Sequence, residues 1–242
     1  FAVKLNNVGN LVWAKQIGSD DSESARCGAG DSAGDLYAAG SFGGTVDFDP
    51  GPGIANLTAF GSYDAYILKL DLSGNLVWAK HMGGSTGGAI TMSLTSNGGN
   101  VYATGIFEGT VDFDPGPGTA NLAAVEFYDI FVSKFDASGN LIWVRQIGGN
   151  ASGTAKSVAA DTEDNVYICG TIFAGTLDFD PGPGIANVTT IGGFDAFVSK
   201  FDNLGNLVWV AHLGGVGTEL GGSVALNGSN DVFSTGSFDG VV

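Results

Sequence analysis

A repeat of 65 to 66 residues constrains the fold of this 242-residue chain more than any other feature. Four tryptophans recur with spacings of 65, 65 and 66 residues, at Trp13, Trp78, Trp143 and Trp209. All six prolines belong to three copies of the string Asp-Phe-Asp-Pro-Gly-Pro-Gly, which begin at Asp47, Asp112 and Asp178. A period of this length is typical of propellers and other repeat arrays, in which each copy forms one supersecondary unit.

Short β-strands account for most of one copy. In the third copy, apolar runs rich in strand-forming residues occupy 131–135, 141–147, 156–160 and 166–170. The segment from Asp136 to Asn140 predicts a tight hairpin, in which Gly139 supplies a positive φ. The segment 186–190 predicts one more short edge strand after the proline string. No apolar period of 3.6 residues continues for ten residues, so we expect essentially no helix.

Four to five short antiparallel strands per copy predict one blade of an all-β propeller. Stacked blades bury both faces of each sheet, which explains apolar runs without clean alternation. A β-solenoid is the alternative, although its rungs usually have shorter periods. We assign one blade repeat to each of four segments of a single propeller-like domain or part of a larger one: 1–61, 62–126, 127–192 and 193–242. The first and last copies are incomplete, so we expect a piece of a longer repeat protein.

Composition excludes several classes of protein. The chain has 41 glycines, and its 25 Asp and Glu residues against 9 Lys and Arg give a net charge of −16. Binding to nucleic acid or to an anionic membrane surface requires clustered basic residues, so we expect neither. No apolar run approaches the roughly 18 residues of a membrane span, and we expect no membrane insertion. A hydrophobic content of 44% is too high for a disordered chain.

The paired aspartates of the proline strings are the candidate metal ligands. Residues i and i+2 of a strand face the same side, so each pair presents two carboxylates and places the intervening Phe on the opposite face. The pairs are Asp47 and Asp49, Asp112 and Asp114, and Asp178 and Asp180. Calcium takes six to eight oxygen ligands and would neutralise such a pair. The alternative is that the carboxylates accept N–H groups of the turn, since the string lacks the spacing of known calcium loops.

Other polar columns predict structural roles. Two Asp columns recur, which indicates that they form turns or set the strand register: Asp64, Asp129 and Asp195, and Asp71, Asp136 and Asp202. A Lys column recurs as well, which indicates ion pairs or charges on an edge strand: Lys4, Lys69, Lys134 and Lys200. His81 and His212 share a column with Gln16 and Gln146, which indicates a polar strand position rather than a catalytic base. The Trp column is interpreted as core, with a sugar-stacking platform as the weaker alternative.

We identify no catalytic residue and no cofactor site. No nucleophile, phosphate-loop or zinc motif occurs. The nearest unrepeated acidic cluster is Asp20, Asp21 and Glu23, which a solvated loop explains more simply. Cys27 and Cys169 lie at non-equivalent positions, so we expect no disulfide between them, and Cys169 is interpreted as a small buried residue.

The chain resembles the SBBP-type β-propeller repeat of secreted bacterial proteins. The resemblance lies in the segment from Asp129 to Asn140, in Trp143, in Gly148 and Gly149, and in the segment 164–170, and it recurs in every copy. It implies a propeller-like protein that is secreted or on the cell surface, of the kind found in large adhesin-like bacterial chains, and it implies no activity. The Asp-Phe-Asp-Pro-Gly-Pro-Gly string departs from the shorter Asp-Phe-Pro element expected for the family.

The sequence therefore predicts a non-enzymatic structural or interaction module of a secreted or cell-surface bacterial protein, adhesin-like in character. The alternative is a multivalent module that binds a glycan or a peptide weakly at one site per blade. Expected partners are a protein or glycan surface, further repeats of the same protein, or a second copy that closes the propeller.

Overall fold

The computed structural model describes residues 1–18 and 23–239, in which regular structure consists of twenty-two β-strands and no helix. The first two strands form a separate two-stranded sheet: β1 (Ala2–Leu5) and β2 (Leu11–Lys15). The last two strands form another: β21 (Thr218–Leu226) and β22 (Val232–Asp239), after the eighteen strands described next. The prediction of an all-β chain of propeller repeats is confirmed.

Three antiparallel blades of four strands each lie between these pairs, and we call them the first, second and third blades. Two further strands, given below, extend the second blade to a six-stranded sheet. The first has the order β3 (Glu23–Gly30), β4 (Leu36–Phe42), β7 (Asp64–Leu70) and β8 (Leu76–Met82). The second has the order β9 (Gly88–Asn97), β10 (Asn100–Glu108), β13 (Asp129–Phe135) and β14 (Leu141–Gly149). The third has the order β15 (Ser152–Ala160), β16 (Val166–Phe173), β19 (Phe194–Phe201) and β20 (Leu207–Leu213).

A short hairpin leaves each blade between its second and third strands, and we call these the proline hairpins. They are β5 (Thr45–Asp47) with β6 (Asn56–Thr58), β11 (Thr110–Asp112) with β12 (Asn121–Ala123), and β17 (Thr176–Asp178) with β18 (Asn187–Thr189). Each contains one Pro-Gly-Pro-Gly turn. The predicted extra edge strand after this turn is therefore present, but as half of a hairpin.

Each proline hairpin joins the preceding blade. β17 pairs with the end of β14, where Gly148 lies opposite Asp178. The equivalent contacts are a bridge between Gly83 and Asp112 and a hydrogen bond from the Gly18 amide to the Asp47 carbonyl. A backbone connection therefore runs from each blade to the blade or strand pair before it.

The sheets are offset from the sequence copies. The second and third strands of a blade, such as β10 and β13, pair with each other although they lie in successive copies. The predicted boundaries 61/62, 126/127 and 192/193 thus fall inside sheets rather than between them. The physical reason is that the chain leaves the sheet to form the proline hairpin and then returns to the same sheet. The four segments are copies of the sequence, and each blade takes its first two strands from one copy and its last two from the next.

The core consists of the two buried faces of each blade. Phe48, Phe113 and Phe179 of the proline strings are at most 1% exposed, and their rings lie 4.8–4.9 Å from those of Tyr66, Phe131 and Phe197. The predicted placement of this Phe opposite the carboxylates is therefore confirmed. Each proline hairpin is anchored by one aromatic side chain that its own string supplies.

The innermost strands β3, β9, β15 and β21 lie side by side from blade to blade. Ser93 accepts a hydrogen bond from the Val158 amide, and Ser157 accepts one from the Val224 amide, at 3.2 and 3.1 Å. Small residues in these strands permit this approach.

A glycine column lies where the second strand of each blade crosses a bulge in the first. A Cβ atom on Gly105 would collide with the Ile90 carbonyl oxygen, and Gly170 and Gly40 have the same relation to Thr154 and Ser24. The register shift in each pair occurs at this point.

We expect Gly105→Ala to lower the free energy of unfolding by about 2–3 kcal/mol, because backbone must move to admit the methyl group. The matched control is Gly228→Ala, since no atom lies within 4 Å of a Cβ there. Urea unfolding of both variants measures the difference. Equal stability of the two variants would contradict the steric explanation.

Candidate functional site

The six aspartates of the proline hairpins occupy the same geometry in all three copies. The first Asp of each pair accepts two backbone N–H groups through Oδ1, as Asp112 does from Asp114 and Ala120 at 3.0 and 2.8 Å. The second accepts one, as Asp114 does from Gly116 at 2.7 Å. Asp47 and Asp49, and Asp178 and Asp180, repeat these bonds. These N–H groups lower the pKa of Asp47, that of Ala55 contributing most and that of Asp49 next.

These bonds are those of the turn interpretation. They use one oxygen of each carboxylate and leave Oδ2 without a hydrogen bond from the described part of the chain. Within that part, no group of three or more His, Cys, Asp or Glu side chains is placed to hold a metal ion. A calcium ion at these pairs would need carbonyl and water oxygens for most of its ligands. Calcium binding at the six aspartates stays a prediction.

A second carboxylate column is fully buried. Asp64, Asp129 and Asp195 are 0% exposed at the start of the third strand of each blade. Their Oδ2 atoms accept backbone N–H groups four residues upstream, from Phe60, Val125 and Ile191. Burial raises the pKa of Asp129, against the N–H groups of Val125 and Gln146. The column therefore fixes the return of the chain from each proline hairpin to its sheet, which agrees with the predicted register role.

The histidine and glutamine column binds these buried carboxylates. His81 Nδ1 lies 2.9 Å from Asp64, His212 contacts Asp195, and Gln146 donates to Asp129. The sequence interpretation as a polar strand position is confirmed, but it missed the partner. The signal was present: Asp and His or Gln are 17 residues apart in every copy. Since Gln replaces His in the second blade, the column requires a hydrogen-bond donor rather than a proton-transfer group.

The turn aspartates have the predicted role. Asp71 Oδ1 accepts the amides of Ser73 and Asn75 at 2.8 and 2.9 Å, and Asp136 and Asp202 make the same bonds. The backbone N–H of Asn75 and then its side chain lower the pKa of Asp71. Asn6 accepts the same pair of amides in the first hairpin, so a neutral amide also fits this position.

The lysine column forms ion pairs, which is one of the two roles predicted for it. Lys69 contacts Asp31 and Asp35 at 3.4 and 3.1 Å and lies 4.9 Å from the centre of the Tyr37 ring. Lys200 lies 3.9 Å from Asp161. Lys4 instead donates to the carbonyls of Gly34 and Leu72.

Asp164 connects the second and third blades through hydrogen bonds of its carboxylate. It belongs to the β15–β16 turn of the third blade, and its carboxylate accepts hydrogen bonds of 3.0 Å from Asn97, Asn100 and Lys134 of the second blade. Its φ is +66°, whereas Gly34 supplies +86° in the first blade. A left-handed conformation is costly for a residue with a side chain, so the contacts across the seam must offset that cost.

The tryptophan column also lies at the seams. The indole N–H groups of Trp13, Trp78 and Trp143 donate at 3.0 Å to the carbonyls of Leu72, Ala137 and Asn203, which lie in the turns after the third strands. Each Trp on a fourth strand thus packs on the next blade along the chain. Trp143 is buried and the other three are half-buried, which fits the interpretation of this column as core better than a sugar-stacking platform.

The two cysteines and the unrepeated acidic cluster are the remaining candidates. Cys27 and Cys169 are free thiols, and burial raises their pKa values to about 12 and about 11. Cys169 is 0% exposed, which confirms its interpretation as a small buried residue. Asp20 and Asp21 lie outside the described residues. Glu23, the third member of that acidic cluster, begins β3.

The comparison with known families agrees with this architecture. Residues 142–172 match the family model of the SBBP β-propeller repeat. The match covers β14, β15 and most of β16, so the SBBP segment runs from the outer strand of one blade into the next blade. The predicted resemblance is confirmed.

Similar proteins are much longer than this chain. One is an uncharacterized WD repeat-containing protein of Acanthamoeba polyphaga mimivirus, 25% identical over 241 residues that cover 87% of this chain and 17% of the relative. Another is the regulatory protein FlaEY of Caulobacter vibrioides, 27% identical over 147 residues that cover 60% of this chain and 15% of the relative. A solved structure of a protein of unknown function from Bacteroides caccae aligns with a TM-score of 0.45 and 10% identity, over 93% of this chain and 57% of that one.

Among the described residues, no helix is long and apolar enough to cross a membrane.

We expect Asp164→Gly to lower the free energy of unfolding by about 2 kcal/mol, although it relieves the positive φ. The loss of charge-assisted hydrogen bonds to the second blade exceeds the relief of about 1 kcal/mol. The control is Asn230→Gly, since Asn230 has a φ of +62° in the equivalent turn. The same relief should make that variant more stable than the parent by up to about 1 kcal/mol. Urea unfolding decides, and an Asp164→Gly protein as stable as the parent would contradict the seam contact.

We expect Asp71→Asn to fold and to lose less stability in acid than the parent. A folded-state pKa below the unfolded value of about 3.9 contributes stability above that pH, which is lost as the pH falls through the folded-state pKa. Asn retains the acceptor but does not titrate, as Asn6 shows. Unfolding free energies at pH 7 and pH 3 measure the effect. Equal decreases in the free energy of unfolding between pH 7 and pH 3 in parent and variant would show that this carboxylate does not contribute to the pH dependence of stability.

Proposed function

We propose that the chain is a non-enzymatic repeat module whose two open blade edges are completed by strands of the same kind of propeller repeat. The SBBP match and the WD repeat-containing relative support a repeat module that works through protein–protein contact. The polar columns support it too, since they hold turns, strands and seams in place. Adhesin-like display by secretion or at a cell surface belongs to the same proposal. Binding of a glycan or peptide at one site per blade stays a prediction.

The observation that supports the proposal is that two strands have one edge without a partner strand in the described part of the chain. In the blades, the second strand pairs with the third, but β22 pairs with β21 alone and β1 with β2 alone. Phe233 on β22 is 57% exposed, whereas its counterparts Tyr37, Tyr102 and Tyr167 are at most 2% exposed. Phe1 is 89% exposed, against at most 4% for Tyr66, Phe131 and Phe197. The edges therefore expose the side chains that form the core of a complete blade.

The two edges are complementary in register. Thr104 lies opposite Val132 in the second blade, and Cys169 lies opposite Val198 in the third. The equivalent residues at the open edges are Thr235 and Ala2. Pairing of β22 with a β1 strand in this register would complete a fourth blade and cover both aromatic rings.

The strand that completes each edge belongs to a further repeat of the same kind, and a second copy of the chain can supply it. In the structure the chain's own β1 lies in a different sheet from β22, and both edges are open at the same time. A head-to-tail contact of this kind uses two different surfaces, so it either closes into a ring or extends into a filament. Unpaired edges with apolar side chains are a general route to such pairing.

We expect a protein with Ala2→Cys and Thr235→Cys to form intermolecular disulfides under mild oxidation. Cys27→Ser and Cys169→Ala remove the background thiols, and both replacements occur at the equivalent positions, in Ser93 and Ala39. Denaturing non-reducing electrophoresis should show dimers and higher multiples, and light scattering of the parent should give at least twice the monomer mass.

The control is the pair Val3→Cys and Thr235→Cys, since a shift of one residue places the two side chains on opposite faces. Equal cross-linking in both proteins would contradict the register. A monomeric native mass, or a disulfide formed only within one chain, would contradict association with a second copy.

A further inference from the structure

We propose that a cavity between the first and second blades binds the guanidinium group of an arginine side chain from a protein partner. The cavity has a volume of about 260 Å³ and is lined by the β6–β7 loop, the β8–β9 loop and the end of β10. Its two distinctive side chains are Tyr63 and Glu108. This surface is separate from the open edges, so the inference does not depend on the proposed association.

The Tyr63 hydroxyl donates a hydrogen bond of 2.7 Å to Glu108 Oε1. Burial and then this hydrogen bond to the Glu108 carboxylate raise the pKa of Tyr63, so its hydroxyl remains a donor. The bond uses one lone pair and leaves Oε2 without a hydrogen bond from the described residues. The carboxylate is therefore held in position with most of its capacity to accept N–H groups unused.

The cavity exists because this seam lacks a side chain that other copies have. Ala89 occupies the register position of Glu23 and Glu219, since these three residues lie opposite Phe107, Phe42 and Phe238. Glu219 is 3% exposed and accepts a hydrogen bond of 2.9 Å from the Gly215 amide, so its carboxylate is bound to the loop between β20 and β21. At Gly88 a Cβ atom would lie 2.7 Å from Cε2 of Tyr63, which shows that the tyrosine ring has taken that space.

The pair is not a feature of the repeat. Tyr63 has Tyr128 and Phe194 as its counterparts, and Glu108 has Gly43, Phe173 and Asp239, so a tyrosine and a carboxylate meet at one seam among the described copies. The turn, register and hairpin aspartates recur because they support the fold. A tyrosine–carboxylate pair that occurs once and borders a cavity has no such role at the other seams.

The chemistry of the lining selects a cation rich in hydrogen-bond donors. The lining residues include one carboxylate and no Lys, Arg or His, and the remaining polar side chains are the hydroxyls of Ser62, Ser85 and Thr86. The net charge of −16 adds a favourable field for a cation and an unfavourable one for an anion. A planar guanidinium presents five N–H donors, can bind a carboxylate with two parallel bonds, and stacks on an aromatic ring.

The test uses acetyl-arginine-methylamide as the probe and the neutral, nearly isosteric acetyl-citrulline-methylamide as its control, in titrations followed by NMR. We expect the arginine compound to shift resonances of residues 61–63 and 85–88, and the citrulline compound to bind at least about tenfold more weakly. Glu108→Gln should weaken arginine binding by about tenfold, equivalent to about 1.4 kcal/mol. Tyr63→Phe, which copies Phe194, should weaken it by a smaller factor.

Glu126→Gln is the matched variant, since Glu126 is an exposed carboxylate in the equivalent loop one copy later. It should leave the affinity unchanged. Equal losses in Glu108→Gln and Glu126→Gln would show general attraction to an acidic protein and would overturn the site. Equal binding of the citrulline compound, or binding of methyl glucoside that depends on Glu108, would overturn the assignment to a guanidinium.

Discussion

Each blade has two apolar faces, and the contact between neighbouring blades is the constraint on which the rest of the structure depends. A single four-stranded sheet with both faces apolar cannot be stable in water, so each blade requires the next one. The seams combine apolar burial with a small set of polar bonds. These include the indole N–H of Trp143 to the Asn203 carbonyl and the carboxylate of Asp164 to three side chains of the second blade. The proline hairpins add a backbone connection to the same seams.

This constraint explains why so many charged side chains of this acidic chain stabilise the fold. The turn, register and hairpin aspartates accept backbone amides, and the lysines lie over tyrosine rings. Because these roles recur in every copy, none of them marks one catalytic centre. The pair Tyr63 and Glu108 differs from these residues, because the tyrosine–carboxylate pair occurs once among the described copies and borders a cavity.

The repeat predicted the class of fold, the strands of a copy, the turn aspartates and the buried Phe of each proline string, since all of these depend on local pattern. It did not predict the phase of the blades. Strands β10 and β13 pair across a copy boundary because the proline hairpin is an excursion from the sheet, and no local signal marks such an excursion. Nor did it link Asp64 to His81, although their columns keep a constant spacing. The cavity could not be predicted from the sequence, because it depends on the glutamate side chain that Ala89 lacks.

Native-state hydrogen exchange of the Trp143→Phe protein tests most directly whether the seams make the blades one cooperative unit. Phe keeps most of the ring and removes the N–H bond to the Asn203 carbonyl, on the third blade. If the blades depend on each other, amide protection should fall together in β10 and β13 of the second blade and in β16 and β19 of the third. Loss of protection confined to the turn at residues 202–206 would show that each blade is stable by itself and would contradict the account.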